Sequence, residues 1–162
     1  MQTIECILSA RNLTEACRQV IRNKGTAGVD AMSVKELKPY LDKNRDELTE
    51  LIRKGEYYPQ PIRGKEIPKG NKKKRQLGIP TVVDRMLQQA VVRIIIPQYE
   101  YMFSDYSYGF RPLRNTHQAI RKSLDYINSG YQHIADIDLE RFFDEVDHSL
   151  LLQILHGKTC LD

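Results

Sequence analysis

Two aspartates near the end of a predicted strand have the residue type and spacing for metal chemistry. Asp136 and Asp138 are separated by one residue in segment 133–139, whose alternating pattern predicts a β-strand. Side chains two residues apart in a strand point to the same side, so both carboxylates would face one site. Such carboxylates bind Mg²⁺ that is shared with substrate phosphates. From the spacing alone, ordinary solvated acids at a strand end are the better explanation.

Positive charge is concentrated in one short segment. Residues 63–75 hold seven basic residues and one acid, Glu66, a local charge of 7 − 1 = +6, whereas the whole chain carries +4. This concentration is typical of a polyanion-binding segment, and a solvated basic loop explains it about equally well. The basic residues are Arg63, Lys65, Lys69, Lys72, Lys73, Lys74 and Arg75.

Several helices and a hairpin must position these residues. Capping signals and apolar periodicity predict helices that begin at Asn12, at Ser33 and at Thr81 with Asp84. They also predict a helix through 48–52 that ends at Gly55, and later helices over 115–129 and 149–155, the last of them capped by Asp147. Two short strands, over 62–68 and 76–80, place the basic cluster on a hairpin. Helices, short strands and a later acid-bearing strand together indicate an α+β fold.

Three of the predicted helices have clear apolar faces, and Pro97 is expected to kink or end the helix that begins at Thr81. The residues expected to face inward are Leu13, Ala16, Cys17, Val20 and Ile21 in the first, Leu87, Ala90, Val91, Ile94 and Ile95 in the one from Thr81, and Ile120, Leu124 and Ile127 in the one over 115–129.

A glycine-containing segment lies between the first two helices. Residues 25–30 read GTAGVD, and Gly25 and Gly28 permit positive φ and the close approach of another backbone, including that of a nucleic acid. By itself this segment predicts only a turn.

Four ordered segments resemble motifs of group II intron reverse transcriptases and maturases. Residues 23–30 resemble the N-terminal extension motif, and 58–69 with 75–81 resemble the first fingers motif. Residues 107–112 resemble the second fingers motif, and 136–144 resemble the third motif, which enters the palm. The resemblance implies a right-hand polymerase fold with a helical N-terminal extension at 1–55, fingers at 56–132 and the start of the palm at 133–162.

The resemblance also implies roles for single residues. Asp138 matches the first metal-binding aspartate, with the Leu139 carbonyl as a further ligand and Asp136 as a weaker candidate. Lys69 and Arg75 match the residues that grip the triphosphate of the incoming nucleotide, where arginine can fork onto phosphate oxygens.

Further nucleotide and RNA contacts follow from the same resemblance. Arg111 is expected near nucleotide or template, and Phe143 against the 2′ position of the sugar, with a half-buried core aromatic as a close alternative. For Tyr106, Tyr108 and Phe110 packing is favoured over stacking on bases. RNA contacts are implied for Gly25, Gly28, Arg63, Lys65, Lys72, Lys73 and Lys74.

The implied function is RNA-directed DNA synthesis by two-metal nucleotidyl transfer. The expected cofactor is Mg²⁺, or Mn²⁺ in its place, and the expected partners are intron RNA, a DNA primer and deoxynucleoside triphosphates. The family completes its metal site with a Tyr-x-Asp-Asp turn, and no Asp-Asp dipeptide occurs in these 162 residues, so the chain alone is expected to be inactive. The main alternative is a non-catalytic RNA-binding fingers module that assists splicing or assembly. A decayed reading frame whose product scarcely folds is a weaker one.

Composition excludes other classes. No apolar segment approaches the roughly 18 to 20 residues of a membrane span, and Glu5 stands where a signal peptide carries basic residues, so a cytoplasmic protein is expected. Cys6, Cys17 and Cys160 lack the spacing of a zinc site or a disulfide framework, which indicates reduced thiols. The sequence gives no indication of oligomeric state.

Overall fold

The structure is a computed structural model that describes residues 2–69 and 73–158. One compact unit, here the N-terminal unit, extends to Ile96, and a second, here the C-terminal unit, begins at Pro97. The elements are α1 (Gln2–Leu8), α2 (Ala10–Asn23), α3 (Leu37–Arg53), β1 (Arg63–Lys69), β2 (Lys73–Ile79), α4 (Val82–Tyr99), a 3-10 turn (Glu100–Met102), α5 (Thr116–Asn128) and α6 (His148–Lys158). Helices combined with a small sheet agree with the predicted α+β class.

Helix α2 has a different N-cap from the predicted one. Ser9 is the cap, and its hydroxyl accepts a hydrogen bond from the backbone N–H of Asn12 at 3.3 Å. Asn12 is buried inside the helix, where Nδ2 donates to the carbonyls of Ile7 (2.9 Å) and Ala90 (3.0 Å), and Oδ1 accepts from Arg93 Nε (3.1 Å). The predicted cap at Asn12 was wrong, because its side chain has a partner that lies far away in sequence.

Helix α3 replaces two predicted helices. It runs without a break from Leu37 to Arg53, and Gly55 follows with φ +70° as the predicted stop. Before it, the Glu36 carboxylate accepts from the hydroxyl (2.7 Å) and the backbone N–H (2.8 Å) of Ser33. Pro39 is tolerated because it lies in the first turn, where the backbone N–H has no partner within the helix.

The core belongs to the N-terminal unit, where helices α2, α3 and α4 meet. The α2 stripe is confirmed, whereas α4 buries its first turns around Met86 and leaves Val91 37% exposed. Helix α4 also continues past Pro97 to Tyr99. The buried apolar cluster comprises Leu13, Ala16, Cys17, Val20, Leu37, Leu41, Leu48, Val82, Val83, Met86 and Ala90.

The C-terminal unit has local order without a core. Helix α5 begins with a complete capping box between Asn115 and Gln118, and Gly130 follows it with φ +95°. However, Ile120, Leu124 and Ile127 are 50 to 52% exposed, so their predicted burial is wrong. None of the described residues from Pro97 onward is buried.

The predicted strand over residues 133–139 does not form. This segment has no regular secondary structure, and the only sheet among the described residues is the β1–β2 hairpin. A strand requires a hydrogen-bonded neighbour, and alternation in the sequence does not supply one. The predicted cap of the last helix is confirmed, because Asp147 Oδ1 accepts from the N–H of Leu150 at 3.0 Å.

Within the described ranges, no helix combines the length and apolar character that a membrane crossing requires. Cys17 is a free thiol in the core and Cys6 is a free exposed thiol.

Candidate nucleic-acid interface

The register of the β-hairpin sorts its basic residues by face. Strands β1 and β2 pair antiparallel, with Arg63 opposite Ile79, Lys65 opposite Leu77 and Ile67 opposite Arg75. Directly opposed side chains lie on the same face of an antiparallel pair. We call this face, with Arg63, Lys65 and Arg75, the basic face. The backbone positions of Lys69 and Lys73, which are paired to each other, belong to it as well.

Lys74 lies on the opposite face of the hairpin. Its Nζ is 2.6 Å from Oε2 of Glu66, the only acid in the basic segment. The ion pair therefore neutralises a charge on the opposite face, while the basic face has no acid in either strand. Lys72 is outside the described residues.

The 25–30 loop packs against the start of helix α4. Gly28 is buried, and a Cβ atom at this position would lie 2.7 Å from Thr81 Cα and 2.9 Å from Thr81 N. Neither Gly25 nor Gly28 has positive φ; the residues that flank the loop, Lys24 (φ 47°) and Ala31 (φ 58°), do. The backbone that approaches Gly28 is thus the chain's own.

Two arginines hold carbonyl groups of the 25–30 loop. Arg85 Nη2 donates to the Thr26 carbonyl at 2.8 Å, and Arg63 Nη1 donates to the Ala27 carbonyl at a longer 3.5 Å. A Cβ atom at Gly25 would lie 2.0 Å from Arg85 Nη1. The loop is therefore docked on both α4 and the base of the hairpin.

A buried carboxylate fixes the start of α4 beneath this loop. Asp84 is 4% exposed and accepts from Tyr57 Oη (2.6 Å), Thr81 Oγ1 (2.6 Å) and the Gln60 N–H (3.2 Å). Burial and the hydrogen bond to Asp84 raise the pKa of Tyr57 well above its usual value. The segment between α3 and the hairpin is thereby tied to the helix that supports the loop.

Arg111 is enclosed by its own loop. Its side chain is 6% exposed, and Nε and Nη2 contact Glu100 Oε1 at 3.1 and 2.7 Å. Nη1 donates to the carbonyls of Ser104 (2.6 Å) and Ser107 (3.0 Å), and Nη2 also donates to the Glu100 carbonyl (3.4 Å). All five guanidinium N–H groups are thus used within the loop. A nucleotide contact of Arg111 stays a prediction, and it would require these bonds to be exchanged.

The aspartates of the predicted metal site are exposed. Asp138 Oδ1 accepts from the N–H of Leu139 at 3.0 Å, a local contact that leaves the second carboxylate oxygen available. In the described part of the chain, no three His, Cys, Asp or Glu side chains come together as a metal-binding group. Phe143 is 84% exposed and contacts Phe142 edge to face, with ring centroids 5.3 Å apart.

The aromatic residues in and just before the second motif differ in exposure, and Tyr108 is half-buried. Phe110 is fully exposed and Tyr106 is 61% exposed. Tyr106 contacts Tyr126 with ring centroids 6.3 Å apart, and Lys122 Nζ lies 4.9 Å from the centroid of the Tyr126 ring. Packing within the described residues therefore occupies these aromatic rings only in part.

The sequence matches a known family over most of this region. The pattern described as "Reverse transcriptase (RNA-dependent DNA polymerase)" matches residues 67–161. The chain belongs to the reverse transcriptase family. The match covers the end of the basic hairpin, the Arg111 loop and Asp138, so the resemblance that the sequence motifs indicated is confirmed.

The chain is similar to several individual proteins, two of which are named as intron proteins. The chain is 38% identical to Protein YkfC of Escherichia coli over 90% of this chain and 40% of that protein. It is 36% identical to Group II intron-encoded protein LtrA of Lactococcus lactis over 88% of this chain and 24% of that protein. It is 33% identical to Nuclear intron maturase 1, mitochondrial, of Arabidopsis thaliana over 47% of this chain and 10% of that protein. The chain thus spans less than half the length of these relatives.

Sequence reasoning missed the two residues that organise this reverse transcriptase segment. Asp84 was predicted only as a helix-start residue, and Arg85 was not predicted to have a role. The Gly25 to Arg85 contact joins positions 60 residues apart in the chain. No local signal connects them, although two glycines in a short loop did indicate a close approach.

Proposed function

We propose that this chain is the fingers-containing segment of a group II intron reverse transcriptase and maturase, which copies RNA into DNA. The observation that carries the proposal is the family match, supported by the hairpin's basic face, which contains no acidic residue. The division into an N-terminal extension at 1–55, fingers at 56–132 and the start of the palm at 133–162 belongs to this proposal. The right-hand polymerase arrangement and a cytoplasmic location are also part of this proposal.

The hairpin and the 25–30 loop are the proposed contacts to nucleic acid. Lys65 and Arg63 on the basic face supply phosphate contacts that depend on salt and not on sequence. Lys69 and Arg75 on the same face are the proposed grip on the triphosphate of a deoxynucleotide. Gly25 and Gly28 allow the loop to lie close to α4, from where it is proposed to cover the template. Intron RNA, a DNA primer and deoxynucleoside triphosphates are the proposed partners.

The proposed metal site comprises Asp138 and the Leu139 carbonyl, with Asp136 beside them. These oxygen donors fit Mg²⁺, or Mn²⁺, because such ions are held by one or two carboxylates together with substrate phosphates. When bound, the metal would neutralise charge on the transferring phosphoryl group and lower the pKa of the attacking hydroxyl. Phe143 is proposed to contact the 2′ position of the nucleotide sugar from its exposed position after this segment.

An RNA-binding module without catalysis is the second candidate. The exposure of both aspartates and the lack of a described three-residue metal group favour it. Because the chain alone is expected to be inactive, the two candidates are separated by nucleotide binding and not by DNA synthesis alone. Mg²⁺-dependent binding of a deoxynucleotide that is lost in Asp138→Asn supports the polymerase segment, whereas tight RNA binding that is indifferent to Asp138→Asn and is not accompanied by such nucleotide binding supports the module. Primer extension on an RNA template is the check on inactivity, and robust synthesis by the chain would refute it.

The role of the hairpin is tested by the salt dependence of RNA binding. A triple alanine variant at Lys72, Lys73 and Lys74 should reduce the slope of log affinity against log salt by about 1.4, because a phosphate contact on a single strand contributes about 0.7 and Lys74 is already paired with Glu66. Fluorescence anisotropy with a labelled single-stranded RNA at several KCl concentrations measures the slope.

Lys74→Ala is the matched control for this test, because Lys74 lies on the opposite face and is paired with Glu66. It removes one positive charge and should reduce the slope by much less than Lys65→Ala, which removes one from the basic face. Equal slopes for the triple variant and the original chain would contradict the proposal.

A further inference from the structure

Arg85 is the polar side chain of helix α4 that contacts the 25–30 loop. It follows Asp84 directly, so the buried hydrogen bonds of Asp84 fix the turn of α4 from which it extends. Its Nη2 donates to the Thr26 carbonyl at 2.8 Å. Arg85 therefore links the most firmly held part of α4 to the loop.

Gly25 makes room for the Arg85 guanidinium. A Cβ atom at position 25 would lie 2.0 Å from Nη1 and 3.2 Å from the central guanidinium carbon of Arg85. Gly25 lacks positive φ, so backbone conformation does not explain the glycine. A side chain at position 25 would therefore require the end of the Arg85 side chain to move from its present place against the loop.

The backbone conformation around the 25–30 loop makes the loop depend on contacts such as this one. Lys24 and Ala31, which flank the loop, both have positive φ, a conformation that side-chain-bearing residues rarely adopt. Gly28 packs on the backbone of Thr81. A loop held in an uncommon conformation requires surrounding contacts to maintain it, and Arg85 supplies the shortest hydrogen bond to its carbonyls.

We propose that Arg85 is a positioning residue that holds the 25–30 loop, through Thr26 and the space left by Gly25, in the conformation that contacts template RNA. This inference rests on the proposed template-covering role of the loop. Arg85 acts through the loop, because its Nη2 donates to the Thr26 carbonyl and its guanidinium lies against Gly25. Its effect on RNA affinity therefore comes from loop order and not from its own charge.

Two variants disturb this contact by different routes. Arg85→Ala removes the guanidinium, whereas Gly25→Ala displaces it without changing any charge. We expect both to increase hydrogen exchange in residues 25–30 of the RNA-free chain at least about tenfold. Both should weaken binding of a labelled single-stranded RNA by a similar factor, about three- to tenfold. Both changes disrupt the same contact. The double variant should therefore bind RNA with about the same affinity as whichever single variant binds RNA less tightly.

Arg18→Ala is the matched charge control. Arg18 is exposed on α2 and pairs with Glu15, so its removal should leave loop exchange unchanged and RNA affinity nearly so. The proposal is overturned if Arg85→Ala weakens RNA binding while Gly25→Ala does not, which would indicate a direct charge contact. It is also overturned if loop exchange rises in both variants while RNA affinity stays the same.

The RNA affinity of the hairpin variant distinguishes failure of the proposed function from failure of this inference. If the triple alanine variant of the hairpin lowers RNA affinity and the Arg85 and Gly25 variants do not, the hairpin role stands and the loop role falls. If the hairpin variant also leaves RNA binding unchanged, the proposed function itself is contradicted.

Discussion

The two units of this chain differ in how their elements are held. The N-terminal unit has a buried apolar cluster from α2, α3 and α4 and a buried hydrogen-bond centre at Asp84. The C-terminal unit has well-capped helices, yet none of its described residues is buried. Capped helices form in both regions, but only the first region converts apolar periodicity into a core. A capped amphipathic helix therefore indicates an element and not the packing of its apolar face.

Truncating one apolar side chain in each unit tests whether only the N-terminal unit has a packed core. Leu13 in α2 is fully buried, whereas Leu124 in α5 is 50% exposed. Leu13→Ala should lower the free energy of unfolding by about 3 kcal/mol, because it leaves a cavity in a packed core. Leu124→Ala should change it by less than about 0.5 kcal/mol. Urea unfolding followed by circular dichroism measures both values.

Equal losses of unfolding free energy in the two variants would contradict this difference between the units. Such a result would mean that α5 buries Leu124 in solution, for example in an oligomer, and the dependence of the transition on protein concentration would then reveal the partner copy.

A second, smaller effect is expected from the polar network that holds the C-terminal unit. Arg111 donates all five of its N–H groups within the loop between α4 and α5. Arg111→Ala should lower the free energy of opening of this loop by about 2 kcal/mol, since several charge-assisted hydrogen bonds are lost. Hydrogen exchange at Tyr106 and Ser107, whose N–H groups bond to Ser104, measures the opening.

The control for Arg111 is Arg121→Ala, an exposed arginine on α5 that should leave these amides unchanged. Arg111→Lys keeps the charge but cannot reproduce the fork, so it should resemble the alanine variant. Full protection in Arg111→Lys would show that charge alone maintains the loop, which would contradict the assignment of order to the hydrogen-bond network.

The sequence predicts the parts of this structure that depend on contacts between neighbouring residues, and it fails where the contacting residues are far apart in the chain. The helix predicted from about Asn115, the cap of α6 at Asp147 and the basic hairpin all rest on neighbours in sequence, and all are confirmed. Asn12 was misread as a cap because its partner, the Ala90 carbonyl, is 78 residues away. The strand over 133–139 failed for a related reason, because alternation predicts a face but cannot provide a pairing strand.

The same distinction applies to the candidate site, where some features follow from the sequence and others require the fold. The concentration of charge in residues 63–75 is visible in the sequence, but its sorting into a basic face and a paired Lys74 requires the register. Arg111 was predicted to contact nucleotide from its motif, whereas its five internal hydrogen bonds follow from the fold of the loop. Asp138 keeps its predicted role only as a proposal, because no three candidate metal ligands come together among the described residues.

The smallest predicted effect is a pH dependence that belongs to the N-terminal unit. Burial and the hydrogen bond to Asp84 raise the pKa of Tyr57 in the folded chain. In the unfolded chain, tyrosine ionises near its ordinary pKa of about 10. Above that pH the unfolded state releases a proton that the folded state retains, so the stability that Tyr57 contributes is complete below about pH 10 and is lost as the pH rises further.

Tyr57→Phe should therefore cost about 1 kcal/mol at neutral pH, where one hydrogen bond to Asp84 is lost, and less as the pH rises above about 10. Tyr58→Phe is the control, because Tyr58 is 79% exposed and should leave both the stability and its alkaline slope unchanged. Urea unfolding at pH 7, 9, 10 and 11 measures the difference between the variants.

The same titration also tests the boundary between the two units. Because Tyr57 and Asp84 both belong to the N-terminal unit, the Tyr57→Phe difference should appear in hydrogen exchange of α2 and α4 and be absent from α5. An equal change in α5 would mean that the two units unfold as one cooperative body, and the contrast between a unit with a core and a unit with only local order would then fail.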